Sequence, residues 1–316
     1  MKRRNVIVIG TILLFSVVLL GFSACGEKTE AVGQDKMTVA VSIVPEATFV
    51  EKVAGDKVNI VTIIPSGNSP ANYQPTTTEM QALSDASVYF VMQMPAEEAN
   101  ILPKVTDFNA DIKLVNLRDA VSAVYPLHEM GAHSHDHEDG AEEADEDHDE
   151  DHEEALSVDP HIWLSPKRAI VMVETIRDTL SEMDPDNAEV YKKNAAAYIE
   201  ELSALDADIA EIVSGMETKA FMIYHGAYGY FADDYGLEMI SLEVDGKAAS
   251  ATVMAEAIEH AKEENISHIF YQDEFDDNQA KTVADEIGGS VTEARALAPD
   301  YIAALTEFAE ALAAGE

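Results

Sequence analysis

The chain has 316 residues, about two domains' worth at roughly 100–200 residues per domain, and with 47% hydrophobic and 7% aromatic residues it can bury an ordinary core, which excludes wholesale disorder. Sixty acidic residues against 20 basic give a formal charge of −40, a field that repels phosphate backbones and favours cations, so nucleic acid is not an expected partner. The single cysteine, Cys25, permits neither an internal disulfide nor a thiolate zinc cluster, and any metal falls to His, Asp or Glu.

Lys2, Arg3 and Arg4 form a positive start, and residues 6–23 are an apolar run, so residues 1–24 read as an export signal and are excluded from fold reasoning. The run also reaches the lower edge of a membrane span, and the junction that follows decides between the two. Phe22-Ser23-Ala24-Cys25-Gly26 resembles the bacterial lipobox, in which small residues precede a cysteine that is lipidated and becomes the mature N-terminus, although Phe22 is a less usual choice there. The resemblance implies a lipoprotein held outside the cytoplasm on the membrane surface through Cys25. Residues 25–36 are polar without apolar periodicity and read as a tether.

From Met37 short β-branched runs alternate with helical stretches, and residues 38–43, 47–54 and 58–63 make a βαβ opening. Thr76 and Glu79 have the capping-box spacing ahead of an apolar helical stretch, and residues 87–92 and 112–117 read as two further strands. Residues 37–127 are thus an α/β lobe with a parallel sheet. Residues 166–216 carry helical periodicity, interrupted only around Asp184-Pro185-Asp186, and read as one long linking helix. A second α/β lobe fills residues 217–316, with strands at 220–224, 239–244, 268–272 and 290–297 and helices reaching 235 and spanning 252–264, 277–287 and 301–313. The expected fold is α/β: two lobes with parallel-rich sheets joined by a long rigid backbone helix.

Between the lobes' sequences, residues 128–154 hold six of the chain's ten histidines, fourteen acidic residues and no Lys or Arg. Such a segment cannot pack a core. Removing its acids still leaves a charge of −26, so acidity is general and the histidines are the special feature. His128, His133, His135, His137, His148 and His152 therefore read as a metal-capturing loop, with fast, weak, multi-site binding of a soft or borderline ion.

Two motifs outside the loop carry candidate ligands. In Asp159-Pro160-His161-Ile162-Trp163-Leu164-Ser165-Pro166, at residues 155–165, a histidine beside the chain's only tryptophan sits on a stiff turn between two prolines, heading the long helix. In Tyr224-His225-Gly226-Ala227-Tyr228 a histidine follows a predicted strand, where α/β folds gather ligand groups.

The segments DPHIWLSP and YHGAYGYFADDYGLEMISLE, with the acidic histidine-rich insert between the lobes, resemble the zinc/manganese solute-binding lipoproteins of bacterial ABC importers. The resemblance runs in order from about Met37 to the C-terminus. It implies one metal ion, zinc or else manganese, in a cleft between the lobes of a monomer, and delivery to a membrane permease rather than catalysis. The family's second and third histidine ligands fall on His161 and His225. Its first lies in a proline-histidine-x-tyrosine-glutamate-proline stretch that here reads Pro70-Ala71-Asn72-Tyr73-Gln74-Pro75, so the histidine position is Ala71. Its last, an aspartate in a leucine-aspartate-proline turn, falls on Ala298, with Asp300 two residues late.

Relatives often carry glutamate at the place of Gln272 and glutamine at that of Glu274. Side chains two apart on an extended strand face the same way, so Glu274 becomes the third candidate if the strand runs on that far. Glu243 and Asn72 are weaker candidates. A zinc hydrolase built on His161, His225 and Glu274 lacks electrophilic partners and a His-Glu-x-x-His helix. The alternative to a receptor is a surface lipoprotein with a degenerate cleft whose loop buffers metal or serves adhesion. Mass spectrometry of the mature N-terminus is expected to find lipidated Cys25; an unmodified start beyond it excludes the anchor.

Overall fold

Two four-stranded parallel sheets carry the alternation through, in a computed structural model that describes residues 36–128, 158–243, 249–275 and 277–315. Cys25, His133, His135, His137, His148 and His152 lie outside the described residues. The first lobe contains β1 (Met37–Val41), α1 (Val44–Ala54), β2 (Val58–Thr62), α2 (Thr77–Ser84), β3 (Val88–Val91), α3 (Leu102–Phe108), β4 (Lys113–Asn116) and α4 (Leu117–Ser122). Two helices follow, α5 (Pro166–Met183) and α6 (Ala188–Ser214). The second lobe contains β5 (Ala220–Ile223), α7 (Gly229–Tyr235), β6 (Glu238–Ser241), α8 (Ala251–Glu263), β7 (His268–Tyr271), α9 (Asn278–Ile287), β8 (Ser290–Glu293) and α10 (Tyr301–Ala314).

The sheets share one topology, β2-β1-β3-β4 in the first lobe and β6-β5-β7-β8 in the second. Every neighbour pairs in parallel. The chain reverses its direction of travel between β1 and β3, and again between β5 and β7. Those are the switch points at which open parallel sheets leave a crevice beyond the strands' carboxyl ends. Strands β3 (VYFV) and β5 (AFMI) are buried along their whole length, as the apolar runs of strands covered on both faces require. The capping box before α2 forms as its spacing predicts, with Thr76 Oγ1 accepting from Glu79 N–H and Glu79 Oε2 accepting from Thr76 N–H.

The stretch read as one linking helix is two helices. Pro185 lacks an N–H and disfavours helical backbone at Asp184, so α5 stops there. Asp184 Oδ2 then accepts from Asn187 Nδ2 at 2.7 Å and Tyr191 Oη at 2.6 Å, fastening a turn that sends α6 back along α5. It is α6, about 40 Å long at 1.5 Å per residue, that carries the chain from the first lobe to the second. Its buried stripe of Tyr191, Ala195, Tyr198, Leu202, Leu205, Ile209 and Val213 recurs at three- and four-residue spacing, the signature of one helical face. That stripe meets α1 of the first lobe and α10 of the second, and one apolar core runs through both.

Two carboxylates are buried at the carboxyl end of the first sheet, which the sequence reading did not single out. Glu97 accepts from Tyr89 Oη at 2.5 Å, Met94 N–H at 2.8 Å, Met92 N–H at 3.2 Å and the Ser42 hydroxyl. Glu46 Oε2 accepts from Ser42 N–H at 2.8 Å and Ile43 N–H at 3.1 Å, capping α1, while its Oε1 has no partner. Burial, reinforced by the neighbouring Glu97 charge, holds the Glu46 carboxyl well above the ordinary glutamate range. A carboxyl raised in the folded state contributes stability that is full below the unfolded pKa and is lost as pH climbs through the folded one. Glu46→Gln, which keeps an acceptor for the α1 cap, is therefore expected to melt higher than the parent at pH 9, by about 2–4 °C per kcal/mol relieved, with a smaller gap at pH 5. Calorimetric melting at the two pH values checks the sign.

Candidate metal centre

His161 and His225 meet at the seam between the lobes. His161 enters from a tight turn, since Pro160 and the helical turn Ile162–Leu164 place it just before α5, whose N-cap Ser165 accepts from Arg168 N–H at 3.2 Å. Trp163, buried, fixes that turn to the second lobe by donating Nε1–H to Ala296 O at 2.8 Å, and Tyr301 Oη donates to Trp163 O at 2.6 Å. His225 follows β5 at the switch point of the second sheet. Gln272, 1% exposed, holds its peptide from both sides: Nε2 donates to His225 O at 2.8 Å and Oε1 accepts from His225 N–H at 3.3 Å.

The two imidazoles are set edge to face, with Nε2 of each 3.2 Å from Nε2 of the other. Behind each ring stands a buried carboxylate. His161 Nδ1–H donates to Asp159 Oδ1 at 2.7 Å, and His225 Nδ1–H donates to Glu243 Oε2. A carboxylate on Nδ1 fixes the tautomer and leaves the Nε2 lone pair free. In that tautomer two lone pairs face one another at 3.2 Å, an arrangement that a cation between them relieves. Neighbouring nitrogen donors of a tetrahedral ion bonded at about 2.0–2.1 Å lie about 3.3 Å apart, whereas a linear two-coordinate ion needs about 4 Å. The spacing fits the tetrahedral case.

The remaining candidates fall into different places. Glu274 lines the same cavity, of about 60 Å³, as the two histidines, Ala71, Met94 and Phe275. It does so from a turn rather than a strand, because β7 ends at Tyr271. Burial, aided by the adjacent Asp273 charge, pushes its carboxyl up to about 7. Glu243 sits on Nδ1 of His225, the ring edge away from Nε2, and so supports the histidine instead of standing beside it as a ligand. Asn72 is exposed and lies outside the cavity wall, because its turn puts Ala71 there. His128 belongs to the folded body rather than the loop: its ring stacks on Tyr230 at 4.4 Å and its Nε2 lies 3.3 Å from Asp233 Oδ2. Asp300 caps α10 by accepting from Ala303 N–H at 3.2 Å. Among the described residues no three His, Cys, Asp or Glu side chains close a metal site by themselves.

Sequence reasoning missed Asp159 and Gln272 as positioning residues. Asp159 stands two residues before His161 on a proline turn, and the same Oδ1 that takes Nδ1–H also accepts His161 N–H at 2.9 Å. Gly229 makes room for it, since a Cβ there would lie 3.1 Å from Asp159 Oδ2.

The model of the family described as zinc-uptake complex component A, periplasmic, matches residues 39–315. The chain belongs to that family. It is 35% identical over 280 residues to the zinc-binding lipoprotein AdcA of Streptococcus pneumoniae serotype 4, covering 88% of this chain and 53% of AdcA, so it spans about half the length of that relative. It is 28% identical over 280 residues to the manganese-binding lipoprotein MntA of Halalkalibacterium halodurans, covering 86% of this chain and 83% of MntA. A crystal structure of ZnuA superposes with a TM-score of 0.77 at 32% identity, covering 89% of this chain and 99% of that one. The two-lobed α/β architecture read from the sequence is thus the family's.

Outer-shell partners of metal-ligating histidines typically carry 10–100-fold in affinity. Asp159→Asn and Glu243→Gln, each nearly the same shape as its parent, are expected to weaken metal binding by about that factor without lowering the melting temperature of the metal-free protein by more than a few degrees. Competition against a chelator of known affinity measures it; unchanged affinity in both removes the carboxylates from the site.

Proposed function

We propose that this chain is an extracytoplasmic receptor that captures one divalent transition metal ion, zinc foremost, and hands it to an ABC permease. The reading rests on one observation: two Nε2 atoms 3.2 Å apart, each ring backed by a carboxylate on its Nδ1. His161 and His225 are the imidazole ligands, and Glu274, which lines the same cavity, supplies a carboxylate. Imidazoles favour zinc, while each added carboxylate moves a site toward manganese, and the zinc-binding AdcA and the manganese-binding MntA span that same pair of ions. Residues 129–154 act as a separate, weaker collector, and Cys25 as the lipid anchor, two acyl chains or more holding stably where one does not.

Removing either imidazole strips a tetrahedral ion of a protein ligand and leaves its carboxylate without the ring it orients. Calorimetric zinc titration is expected to lose the single tight site in His161→Ala and in His225→Ala and to keep the weak, multi-site phase. Deleting residues 129–154 is expected to do the reverse. Tight binding that survives both histidine changes, or vanishes with the deletion, overturns the cleft assignment, and tight binding that persists in Glu274→Ala moves the carboxylate elsewhere.

A further inference from the structure

The cavity beside the two histidines is short of protein donors and long on apolar wall. Ala71 lines it from the first lobe, with Met94 and Pro95 beside it, and Trp163, Phe275 and Leu297 line it from the other side. A tetrahedral ion bonded to both Nε2 atoms has two corners left. Glu274, contributed by the second lobe as Ala71 is by the first, is the titratable side chain among the described residues that shares the cavity with the histidines. At least one corner is therefore left to the cavity of about 60 Å³ that the histidines share with Ala71, space for a few water molecules or one flat five-membered ring.

Water is a poor occupant of that corner. A stable buried water needs two to four polar partners, and besides Glu274 and the histidines the wall offers Ser69, whose Oγ already accepts Ala71 N–H at 3.3 Å, and Gln272, whose amide is committed at both atoms to the His225 peptide. A small heteroaromatic donor does better: one nitrogen lone pair meets the ion, and the ring faces, being apolar, pack against Met94 and the aromatic side chains. Resting on the receptor reading above, we propose that the site takes its ion as a mixed-ligand complex, two protein imidazoles plus one small exogenous ligand of the imidazole class seated against Ala71. The cargo is then a metal ion carrying a small nitrogen donor, and free imidazole and free L-histidine are two sources of the same group.

Calorimetric zinc titration of the intact chain, with His161→Ala/His225→Ala as the reference that isolates the cleft, is run with none, 5 mM imidazole or 5 mM L-histidine, each corrected for zinc bound by the additive in solution. The cleft is expected to bind at least tenfold more tightly with imidazole. Ala71→His is expected to reach that affinity unaided and to lose the response, because the new side chain fills the corner. An equal gain with L-histidine identifies the amino acid as a competent ligand; a gain with imidazole alone limits the space to the bare ring. Imidazole that only weakens binding, or parent affinity already equal to that of Ala71→His, overturns the mixed-ligand proposal while leaving the receptor standing. No difference between the intact chain and the double histidine variant overturns the receptor reading itself.

Discussion

Everything at the seam depends on the hydrogen bond from each imidazole Nδ1 to a buried carboxylate. Without it either ring nitrogen of a neutral histidine can carry the proton, and Nε2 can be a donor. With it both Nε2 atoms are acceptors, and the 3.2 Å between them becomes a place for a cation. The carboxylates are themselves held. Tyr230 Oη donates to Asp159 O at 2.9 Å while accepting His128 N–H at 3.1 Å, and Asp159 N–H donates to His128 O at 2.8 Å, closing the two ends of the insert beside the site. Glu243 is anchored through its backbone, its N–H donating to Tyr224 O at 2.8 Å. Under the same turn, the buried Arg168 pairs with Asp234 Oδ1 at 2.9 Å and lies 4.5 Å from the Tyr230 ring centre, so α5 and α7 grip the motif from both lobes.

The fold holds that geometry because the lobes are not independent bodies. Phe49 of α1 stacks edge-on to Tyr301 of α10 at 5.0 Å, and both belong to the core that α6 carries from one sheet to the other. Separate domains joined by a small polar interface move freely; a shared apolar core must be exposed to water for the lobes to part, at roughly 25 cal/mol for every Å² uncovered. Wide hinge opening is therefore costly, and access to the histidines falls to short segments at the cleft wall: the turn at Asp273 and Glu274 after β7, and the Pro70-Ala71 turn opposite.

Much of this was legible in the chain itself. Alternating β-branched and helical runs give the order of elements, and β7, α9 and α10 begin or end within a residue of their expected bounds, because Gly, Pro and Asp mark those ends in the sequence. His161 and His225 stood out because proline, glycine and aromatic neighbours stiffen their turns. What stayed hidden is what only the third dimension sets. The strand that was to carry Glu274 toward the site stops at Tyr271, since Gln272 leaves the ladder to bridge the His225 peptide. A long periodic stretch cannot announce that it folds back on itself, and Asp184-Pro185 could be read as a kink or as a hairpin. Glu46 and Glu97 look like surface acids of amphipathic helices, yet both are fully buried where the sheet's switch point offers backbone N–H groups.

The receptor proposed above must let go as well as hold, and the donor count bears on both. Each protein ligand added to a transition-metal site raises affinity and slows release together, because most differences in affinity between related sites appear in the off-rate. Two imidazoles held 3.2 Å apart define where the ion sits, which is the part that needs a preorganised scaffold. On the receptor reading proposed above, Ala71 offers no donor at the cavity wall, and Glu274, whose carboxyl burial pushes up to about 7, is the candidate exchangeable donor there. In that proposal a fixed imidazole pair and an exchangeable donor divide recognition from release, and the carboxylates behind the rings keep the fixed half fixed.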